Sequence, residues 1–268
     1  MDEIVDHYEN QREEERLAAG IMQLELVRTQ EILRRHLPPA PASVLDVGGG
    51  TGVHARWLAD DGYRVHVVDV TPRHVELVNA ELGPLGVTAS LGDARRLDEN
   101  DDIHDVVLVL GPMYHLHERA DRIAALGEAA RVAKPGALIA VAAISRYASL
   151  FDGLRREFIF EDEFKDMVDG DLVDGRHENP HRRPGWFTTA YFHHPDELPA
   201  EATEAGLVVD DLYGIEGLAG WLPNLAARWE DEHDRATILD ATRAIETEPT
   251  LLGLSAHLLL LAHAPHLL

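Results

Sequence analysis

The residues most suited to chemistry stand at a glycine-rich turn, in the segment VLDVGGGTGVHARWL at residues 44–58. Four glycines occur there within five residues, between an apolar run and a helical pattern. Because glycine has no side chain, its backbone N–H groups can approach a ligand closely. Such groups at the start of a helix, together with the helix dipole, form a nucleotide-type site at the carboxyl edge of a sheet.

The spacing of the glycines in this turn, and the acid that precedes it, limit which ligands the turn is suited to bind. Gly48, Gly50 and Gly52 give G-x-G-x-G, whereas a nicotinamide fingerprint reads G-x-G-x-x-G. Asp46 stands two residues before the turn, where a carboxylate is poorly placed for a pyrophosphate. It favours a ligand that carries positive charge or several N–H and O–H donors.

The elements around the turn alternate between apolar strands and amphipathic helices. Unbroken apolar runs predict strands that are buried on both faces of a parallel sheet. The expected strands lie at 43–48, 63–70, 87–94, 104–111, 137–144, 207–217 and 255–264. The expected helices lie at 2–36, 52–62, 72–86, 118–136, 194–207 and 223–247. The pattern predicts a doubly wound α/β fold, with a mostly parallel seven-stranded sheet and helices on both faces.

The same pattern divides the chain into three parts. Residues 1–36 predict an amphipathic N-terminal helix, which LPPAPAS at 37–43 ends. Residues 37–145 and 194–268 carry the alternation of strands and helices. Residues 146–193 are aromatic, charged and rich in turn residues, and they are too long for a simple connection. They predict an inserted cap that binds the substrate.

Further motifs follow the later strands. Asp69 ends YRVHVVDV, Asp93 stands in LGDARRL, and LVLGPMYHL (108–116) ends the fourth strand. With the glycine turn, these segments resemble in order the motifs of class I S-adenosylmethionine (SAM)-dependent methyltransferases of the small-molecule type. The resemblance covers about 37–145 and 194–264. It implies a SAM-binding domain, with S-adenosylhomocysteine as the product.

The resemblance also implies roles for the residues that match these motifs. The glycines would wrap the amino-acid and ribose parts of SAM, and Asp69 would accept from both ribose hydroxyls. Asp93 would accept from the adenine amino group, with Ala94 beside the ring. The cofactor-binding residues implied are Asp46, Gly48, Gly49, Gly50, Gly52, Asp69, Val70, Asp93, Ala94 and Leu110.

Two residues are candidates for catalysis. His115 follows the fourth strand, where the resemblance places the transferring methyl group, and a histidine can take a proton near neutral pH. The N-terminal helix resembles the lid of small-molecule members, and its Tyr8 would close over the cofactor. The alternatives are that His115 packs or bonds to backbone, and that Tyr8 belongs to the packing face of its helix.

An aromatic cap above the cofactor favours a flat or aromatic acceptor. The substrate-binding candidates are Tyr114, Tyr147, Trp186, Tyr191, Glu216 and Trp221. Those in the cap could instead form its own core. Gly111 stands where many nucleic-acid and protein amide N-methyltransferases have an acid or amide, which argues against those acceptors. The acceptor atom stays open among oxygen, nitrogen and electron-rich carbon.

The composition excludes other classes of function. The formal net charge of −24 over 268 residues disfavours nucleic acid and anionic membranes as partners. The chain has no cysteine, so disulfides and thiolate sites are excluded. The histidines show no H-E-x-x-H spacing, and no metal site is expected. An acidic N-terminus without a signal sequence, and no apolar run of about 20 residues, predict a cytoplasmic protein.

Two other functions stay open on the sequence alone. A SAM-binding regulatory module without turnover would keep Asp46, Asp69 and Asp93 yet lack an acceptor cavity. A nicotinamide oxidoreductase would rest on the glycine turn only, against its spacing and against Asp46. The expected partner is a small molecule, and self-association into a homo-oligomer is left open.

Overall fold

The apolar segments that alternate with helices form parallel strands. The computed structural model describes residues 21–181, 183 and 185–266. The parallel strands are β1 (Ser43–Val47), β2 (Arg64–Asp69), β3 (Thr88–Leu91), β4 (His104–Val109) and β5 (Ala133–Ser145). They lie in the order β3-β2-β1-β4-β5. The carboxyl ends of β1, β2 and β4 therefore meet at one edge, where the predicted site residues follow.

Two strands from the C-terminal part complete the predicted sheet. The strand β9 (His257–His263) lies antiparallel to β5, and β8 (Val208–Gly214) lies antiparallel to β9. The prediction of a mostly parallel seven-stranded sheet is confirmed. A hairpin of β6 (Arg176–His177) and β7 (Ala190–His193) adds two strands, and β7 runs parallel to the end of β5.

Helices cover both faces of the sheet, as a doubly wound fold requires. The described helices are α1 (Ile21–His36), α2 (Val53–Asp60), α3 (Pro72–Glu81), α4 (Arg119–Val132), α5 (Ala148–Arg155), α6 (Asp162–Asp174), α7 (Glu197–Glu204), α8 (Leu225–Glu230) and α9 (Glu232–Arg243). Alternate residues of β4 enter two cores, because successive side chains of a strand point to opposite faces. Val106 packs with residues of α1, α2 and α3, and Val107 packs with residues of α4 and α7.

The predicted helices between residues 52 and 247 all extend beyond the observed ones, and two of the differences have a local cause. The helix expected at 118–136 ends at Val132, and β5 begins at Ala133, because Pro135 and Gly136 do not continue a helix. The helix expected at 223–247 is divided into α8 and α9. Asp231 lies between them and caps α9 by accepting from the Asp234 amide at 2.9 Å.

The predicted lid (residues 1–36) and the predicted cap (residues 146–193) are described only in part. Residues 1–20 of the predicted lid, Tyr8 among them, lie outside the described residues. In the described part, Leu24 on α1 packs with Leu225, Trp229 and Ile238. The segment 146–193 contains α5, α6 and β6, and its last four residues are β7, which is part of the sheet. Within the described residues, no helix is both long enough and apolar enough to cross a membrane.

Candidate active site

The turn between β1 and α2 brings bare backbone against two other elements. Gly48 has a φ of 69°, in the left-handed region, and a Cβ there would lie 2.7 Å from the Pro112 ring. A Cβ at Gly49 would lie 2.6 Å from Oδ2 of Asp46. Only glycine fits these two positions, so the turn forms a close cradle beside the end of β4.

Asp69 ties this turn to the end of β2. Its Oδ2 accepts from the Gly50 amide at 2.9 Å, and its Oδ1 accepts from the Thr71 amide at 2.8 Å and from Nδ1 of His74 at 3.1 Å. Burial alone would raise the pKa of Asp69, but the His74 interaction and the two amides hold it below its ordinary value. Asp69 is therefore an ionised acceptor at the edge of the sheet.

Asp46 differs from Asp69 because nothing in the described residues donates to it. The side chain is fully buried on β1, and neither carboxylate oxygen has a hydrogen-bond partner among those residues. Burial raises the pKa of Asp46 to about 7, and the nearby charge of Asp69 adds to the shift. A buried carboxyl group without a donor is costly unless a ligand supplies one.

Two cavities meet at the glycine turn. The first encloses about 700 Å³ beside the ends of β2 and β3, and its wall includes Gly50, Asp69, Asp93 and His115. The second encloses about 680 Å³ on the other side of the turn, where Asp46 and Glu25 face it.

A third cavity opens below the segment after β5. It contains about 1030 Å³ of empty space, part of which is open to solvent. Its aromatic wall consists of Tyr114, Phe164, Trp186, Phe187, Phe192 and Trp221. Glu25, Asp152, His177 and His257 supply its titratable groups. The third cavity therefore combines a largely apolar wall with a few polar groups, as small-molecule sites do.

The middle of the chain matches a known family. Residues 44–136 match the model described as a methyltransferase domain. This segment is a class I SAM-dependent methyltransferase domain. It contains the glycine turn, Asp69 and Asp93, and it supplies the described wall of the first cavity and most of the described wall of the second, to which α1 contributes the rest.

Curated relatives share about one third of their aligned residues with this chain. Methyltransferase GfsG of Streptomyces halstedii is 33% identical over 129 residues, which are 46% of this chain and 45% of the relative. Cypemycin N-terminal methyltransferase of Streptomyces sp is 33% identical over 101 residues, which are 38% of this chain and 41% of the relative. The alignments thus span less than half the length of these relatives.

Solved structures extend the likeness of fold beyond the matched segment. A SAM-dependent methyltransferase from Methanosarcina mazei has a TM-score of 0.60 and 15% identity, covering 88% of this chain and 98% of that one. The [4+2]-cyclase SpnF has a TM-score of 0.56 and 18% identity, covering 89% and 81%. The likeness of fold thus extends well beyond residues 44–136.

The methyltransferase domain offers SAM two features of its own. The lack of a Cβ at Gly48 and Gly49 lets the turn lie directly against Pro112 and Asp46, so that its backbone lines the second cavity. Asp46 presents a buried carboxyl group that has no donor among the described residues. SAM carries a cationic amino group and a sulfonium. The residues present therefore fit this ligand.

Most of the predicted cofactor residues line the first two cavities. They are Asp46, Gly48, Gly49, Gly50, Asp69, Val70, Asp93, Ala94 and Leu110. Gly52 lies instead against Leu82, at the start of α2. Asp93 lies at the rim of the first cavity with both oxygens held by Arg95, at 2.6 Å for the shortest contact. An adenine amino group would have to share that carboxylate with the arginine.

The structure places the residues that were predicted to act on or bind the acceptor in different cavities. Tyr114, Trp186 and Trp221 line the third cavity, whereas His115 lines the first. Tyr147 is a correction, since it packs against His194 and lines none of the three cavities.

Tyr191 and Glu216 are corrected as well. Tyr191 is buried with its ring 3.6 Å from the Arg122 guanidinium, and its hydroxyl contacts Glu197. Glu216 is fully buried and reaches the third cavity only through His257. The sequence marked both as polar or aromatic groups near the cap, but it did not show on which side of the sheet they pack.

Three residues far apart in the chain meet at the wall of the third cavity. Atoms of Glu25, Glu216 and His257 lie within 4.8 Å of one another, close enough to share a cation or a proton. The spacing of histidines along the chain gave no sign of this group, because its members come from α1, the end of β8 and the start of β9. The sequence shows only that His257 lies in the predicted strand at 255–264.

A cluster of buried polar and charged side chains connects β7 with α4 and α7. Arg122 on α4 contacts both oxygens of Glu201 on α7, with the shortest distance 2.7 Å, and Glu201 also contacts His193 on β7 at 3.2 Å. Burial alone would raise the pKa of Glu201, but His193 and Arg122 lower it to about 2. Arg122 and Glu201 therefore form an ion pair, whereas burial lowers the pKa of His193 and favours its neutral ring, which joins the pair through a hydrogen bond.

We expect the affinity for SAM to rise about tenfold between about pH 5.5 and about pH 7. The pKa of Asp46 is about 7 without ligand, and a cationic ligand binds its carboxylate form. Affinity is therefore lost as the pH falls through that value. Calorimetry across this range measures the effect, below the range in which an α-amino group loses its proton.

Asp46→Asn is the control for this titration. The variant keeps the size of the side chain but cannot ionise, so its SAM affinity should be weaker and nearly independent of pH. An unchanged pH dependence in Asp46→Asn would assign the titration to a group other than Asp46.

Proposed function

We propose that the protein transfers a methyl group from SAM to a small-molecule acceptor in the third cavity. One observation carries the proposal, namely that Tyr114 lines all three cavities. Leu110 and Glu25 also line both the second and the third. A ligand that extends from the first cavity into the second would lie directly beside an acceptor in the third.

The chain contributes binding and alignment to this reaction. When bound, SAM supplies an electrophilic methyl group: the acceptor's lone pair bonds to its carbon, and the C–S electron pair stays on sulfur in S-adenosylhomocysteine. Asp69 would accept from the ribose hydroxyls, and Asp46 would accept from the amino group. Because the methyl donor is already activated, holding the two reactants in line and excluding water are the main tasks left to the protein.

The third cavity supports a small acceptor with an aromatic or similarly flat part. Its wall is largely apolar with a few polar groups, as in small-molecule sites. Trp186, Phe187 and Trp221 present ring surfaces to it, and Tyr114 separates it from the cofactor cavities. The relative named cypemycin N-terminal methyltransferase supports nitrogen as one acceptor atom. His115 stays a prediction as the base, at the first cavity.

The test has two stages. Calorimetry should show that SAM and S-adenosylhomocysteine bind, and incubation with a panel of small aromatic amines, phenols, alcohols and carboxylates should release S-adenosylhomocysteine with a methylated product. Failure to bind SAM would contradict the proposal. Tight SAM binding without any product across the panel would favour the regulatory module without turnover.

A further inference from the structure

His54 stands at the start of α2, directly after the glycine turn, and it lines the second cavity. The Gly52 amide donates to the Gly49 carbonyl at 3.0 Å and closes the turn. A Cβ at Gly49 would meet the Asp46 carboxyl group, so α2 begins one tight turn away from that group. His54 and Asp46 thus line the same cavity from neighbouring elements.

A neighbouring tryptophan fixes which ring nitrogen of His54 carries the proton. The indole Nε1 of Trp57 lies 3.2 Å from Nδ1 of His54. An indole N–H only donates, so Nδ1 must accept and the proton of the neutral ring is on Nε2. Trp57 is itself held in place, since it is 7% exposed and the Arg34 guanidinium lies 4.5 Å from the centre of its ring. His54 therefore offers an Nε2–H donor.

The ring of His54 is neutral near neutral pH. Burial lowers the pKa of His54 to about 4. A protonated ring would also carry a hydrogen on Nδ1, which would oppose the indole hydrogen of Trp57. Among the described residues, nothing accepts a hydrogen bond from Nε2 of His54. The described wall of the second cavity thus combines a donor that lacks an acceptor with Asp46, an acceptor that lacks a donor.

The charges around the second cavity leave only the side of α2 suited to an anion. The acids Glu25 and Asp46 line the cavity, and its described wall contains no lysine or arginine. On the adjacent helix α1, the guanidinium of Arg28 donates to Glu31, Glu246 and the Ile215 carbonyl. The first turn of α2 contains no acid, and the N–H groups and dipole at the start of a helix favour an anion.

We propose that Nε2 of His54, in the tautomer that Trp57 fixes, donates to the α-carboxylate of SAM, and that this hydrogen bond distinguishes SAM from adenosine compounds without a carboxylate. The inference rests on the proposed function, in which the amino group of SAM binds at Asp46. The amino and carboxylate groups of an amino acid share one carbon atom, so a site for one must lie beside a site for the other. Asp46 and His54 supply the acceptor and the donor.

The first test compares two thioethers that differ only in the carboxylate. They are S-adenosylhomocysteine and 5′-(3-aminopropylthio)-5′-deoxyadenosine, the aminopropyl thioether, which keeps the amino group. Calorimetry of the wild-type protein should show the aminopropyl thioether binding about tenfold more weakly, the effect of one hydrogen bond to a charged group. Equal affinities for the two thioethers would overturn the inference.

His54→Leu removes the donor and keeps an apolar side chain of moderate size. The variant should bind S-adenosylhomocysteine about tenfold more weakly than the wild type and the aminopropyl thioether as tightly, so that the two affinities become similar. Binding of the aminopropyl thioether also shows that the variant is folded. If the carboxylate contributes as much in His54→Leu as in the wild type, another group binds it and the inference is rejected.

His54→Gln is the conservative variant, because its side-chain amide keeps a neutral N–H donor near the position of Nε2. It should keep most of the preference for S-adenosylhomocysteine, and it replaces His54→Leu as the test if that variant does not fold. Loss of the preference in His54→Leu and in His263→Leu alike would contradict the inference. His263 is the matched control, since it lies at the end of β9 and pairs with Asp210, and His263→Leu should bind both thioethers like the wild type.

The second test measures the tautomer of His54. In ¹⁵N NMR of the wild-type protein, Nε2 of His54 should carry the proton and Nδ1 should not, with or without S-adenosylhomocysteine. Trp57→Phe removes the indole N–H, so part of the molecules should carry the proton on Nδ1, and S-adenosylhomocysteine should bind more weakly than to the wild type. A proton on Nδ1 in the wild type would reject the inference, and an unchanged tautomer in Trp57→Phe would reject the role of Trp57.

Kinetics separate this inference from the proposed function. With an acceptor of the panel that is methylated, His54→Leu should raise KM for SAM about tenfold and leave kcat unchanged, because the carboxylate takes no part in the transfer. Failure of the wild-type protein to bind SAM and S-adenosylhomocysteine would reject the proposed function itself. Binding of S-adenosylhomocysteine without a preference over the aminopropyl thioether would reject the inference and leave the methyltransferase proposal standing.

Discussion

Asp69→Ala is expected to weaken SAM binding about 100-fold, the effect of roughly two charge-assisted hydrogen bonds. The Asp69 carboxylate makes two sets of hydrogen bonds, and the alanine variant loses both. It accepts from the Gly50 and Thr71 amides, which holds the glycine turn, and in the proposed site it also accepts from the ribose hydroxyls. Calorimetric titration with SAM and S-adenosylhomocysteine measures the loss.

Asp69→Asn is the conservative companion to this variant. The side-chain carbonyl oxygen of the asparagine can still accept one of the two hydrogen bonds from the backbone amides. The SAM affinity of Asp69→Asn should therefore lie between those of the wild type and Asp69→Ala. Asp210→Asn, on the exposed edge of β8 and away from the cavities, should bind SAM normally. Wild-type affinity in Asp69→Ala would remove Asp69 from the cofactor site.

Arg122→Ala is expected to lower the free energy of unfolding by about 3–5 kcal/mol, the usual cost of breaking a buried ion pair. The guanidinium is 1% exposed and donates to Glu201 and to the Leu116 and His117 carbonyls. Its removal leaves a buried carboxylate without its main partner and removes the contact with Tyr191. Urea denaturation followed by circular dichroism measures the change.

Arg119→Ala is the matched control on the same helix. Arg119 is exposed, and its short contact is with the exposed Glu204, while it lies 3.8 Å from Glu201. Its loss should therefore change the urea midpoint little. If the two variants unfold at the same urea concentration, the buried cluster does not stabilise the fold as argued. A double variant, Arg122→Met with Glu201→Leu, should recover part of the loss because no unpaired charge stays buried.

The glycine turn and its acid could be predicted because residues that are adjacent in the sequence form this part of the cofactor site. A glycine turn that follows a strand places Asp46 and Gly48 together wherever the strand lies. Asp69 comes to the same edge because parallel strands end there. The central strands β1, β4, β5 and β9 followed from apolar runs, since a strand that is buried on both faces needs apolar residues throughout.

The acceptor side could not be predicted in the same way. Glu25, Glu216 and His257 are more than 200 residues apart at the extremes, and only the antiparallel insertion of β9 beside β5 brings His257 to the cavity. Tyr191 shows the opposite error. Aromatic composition suggested a substrate contact, but β7 directs the side chain toward Arg122 on the far side of the sheet.

The shared wall of the second and third cavities has a consequence for the kinetics. Because Glu25, Leu110 and Tyr114 line both spaces, bound SAM would form part of the surface on which the acceptor rests. The acceptor would then bind well only after SAM, and the methylated product would leave before S-adenosylhomocysteine. The steady-state rate law is then that of a compulsory-order mechanism. S-adenosylhomocysteine competes with SAM and not with the acceptor, and its release sets how quickly the next SAM can bind.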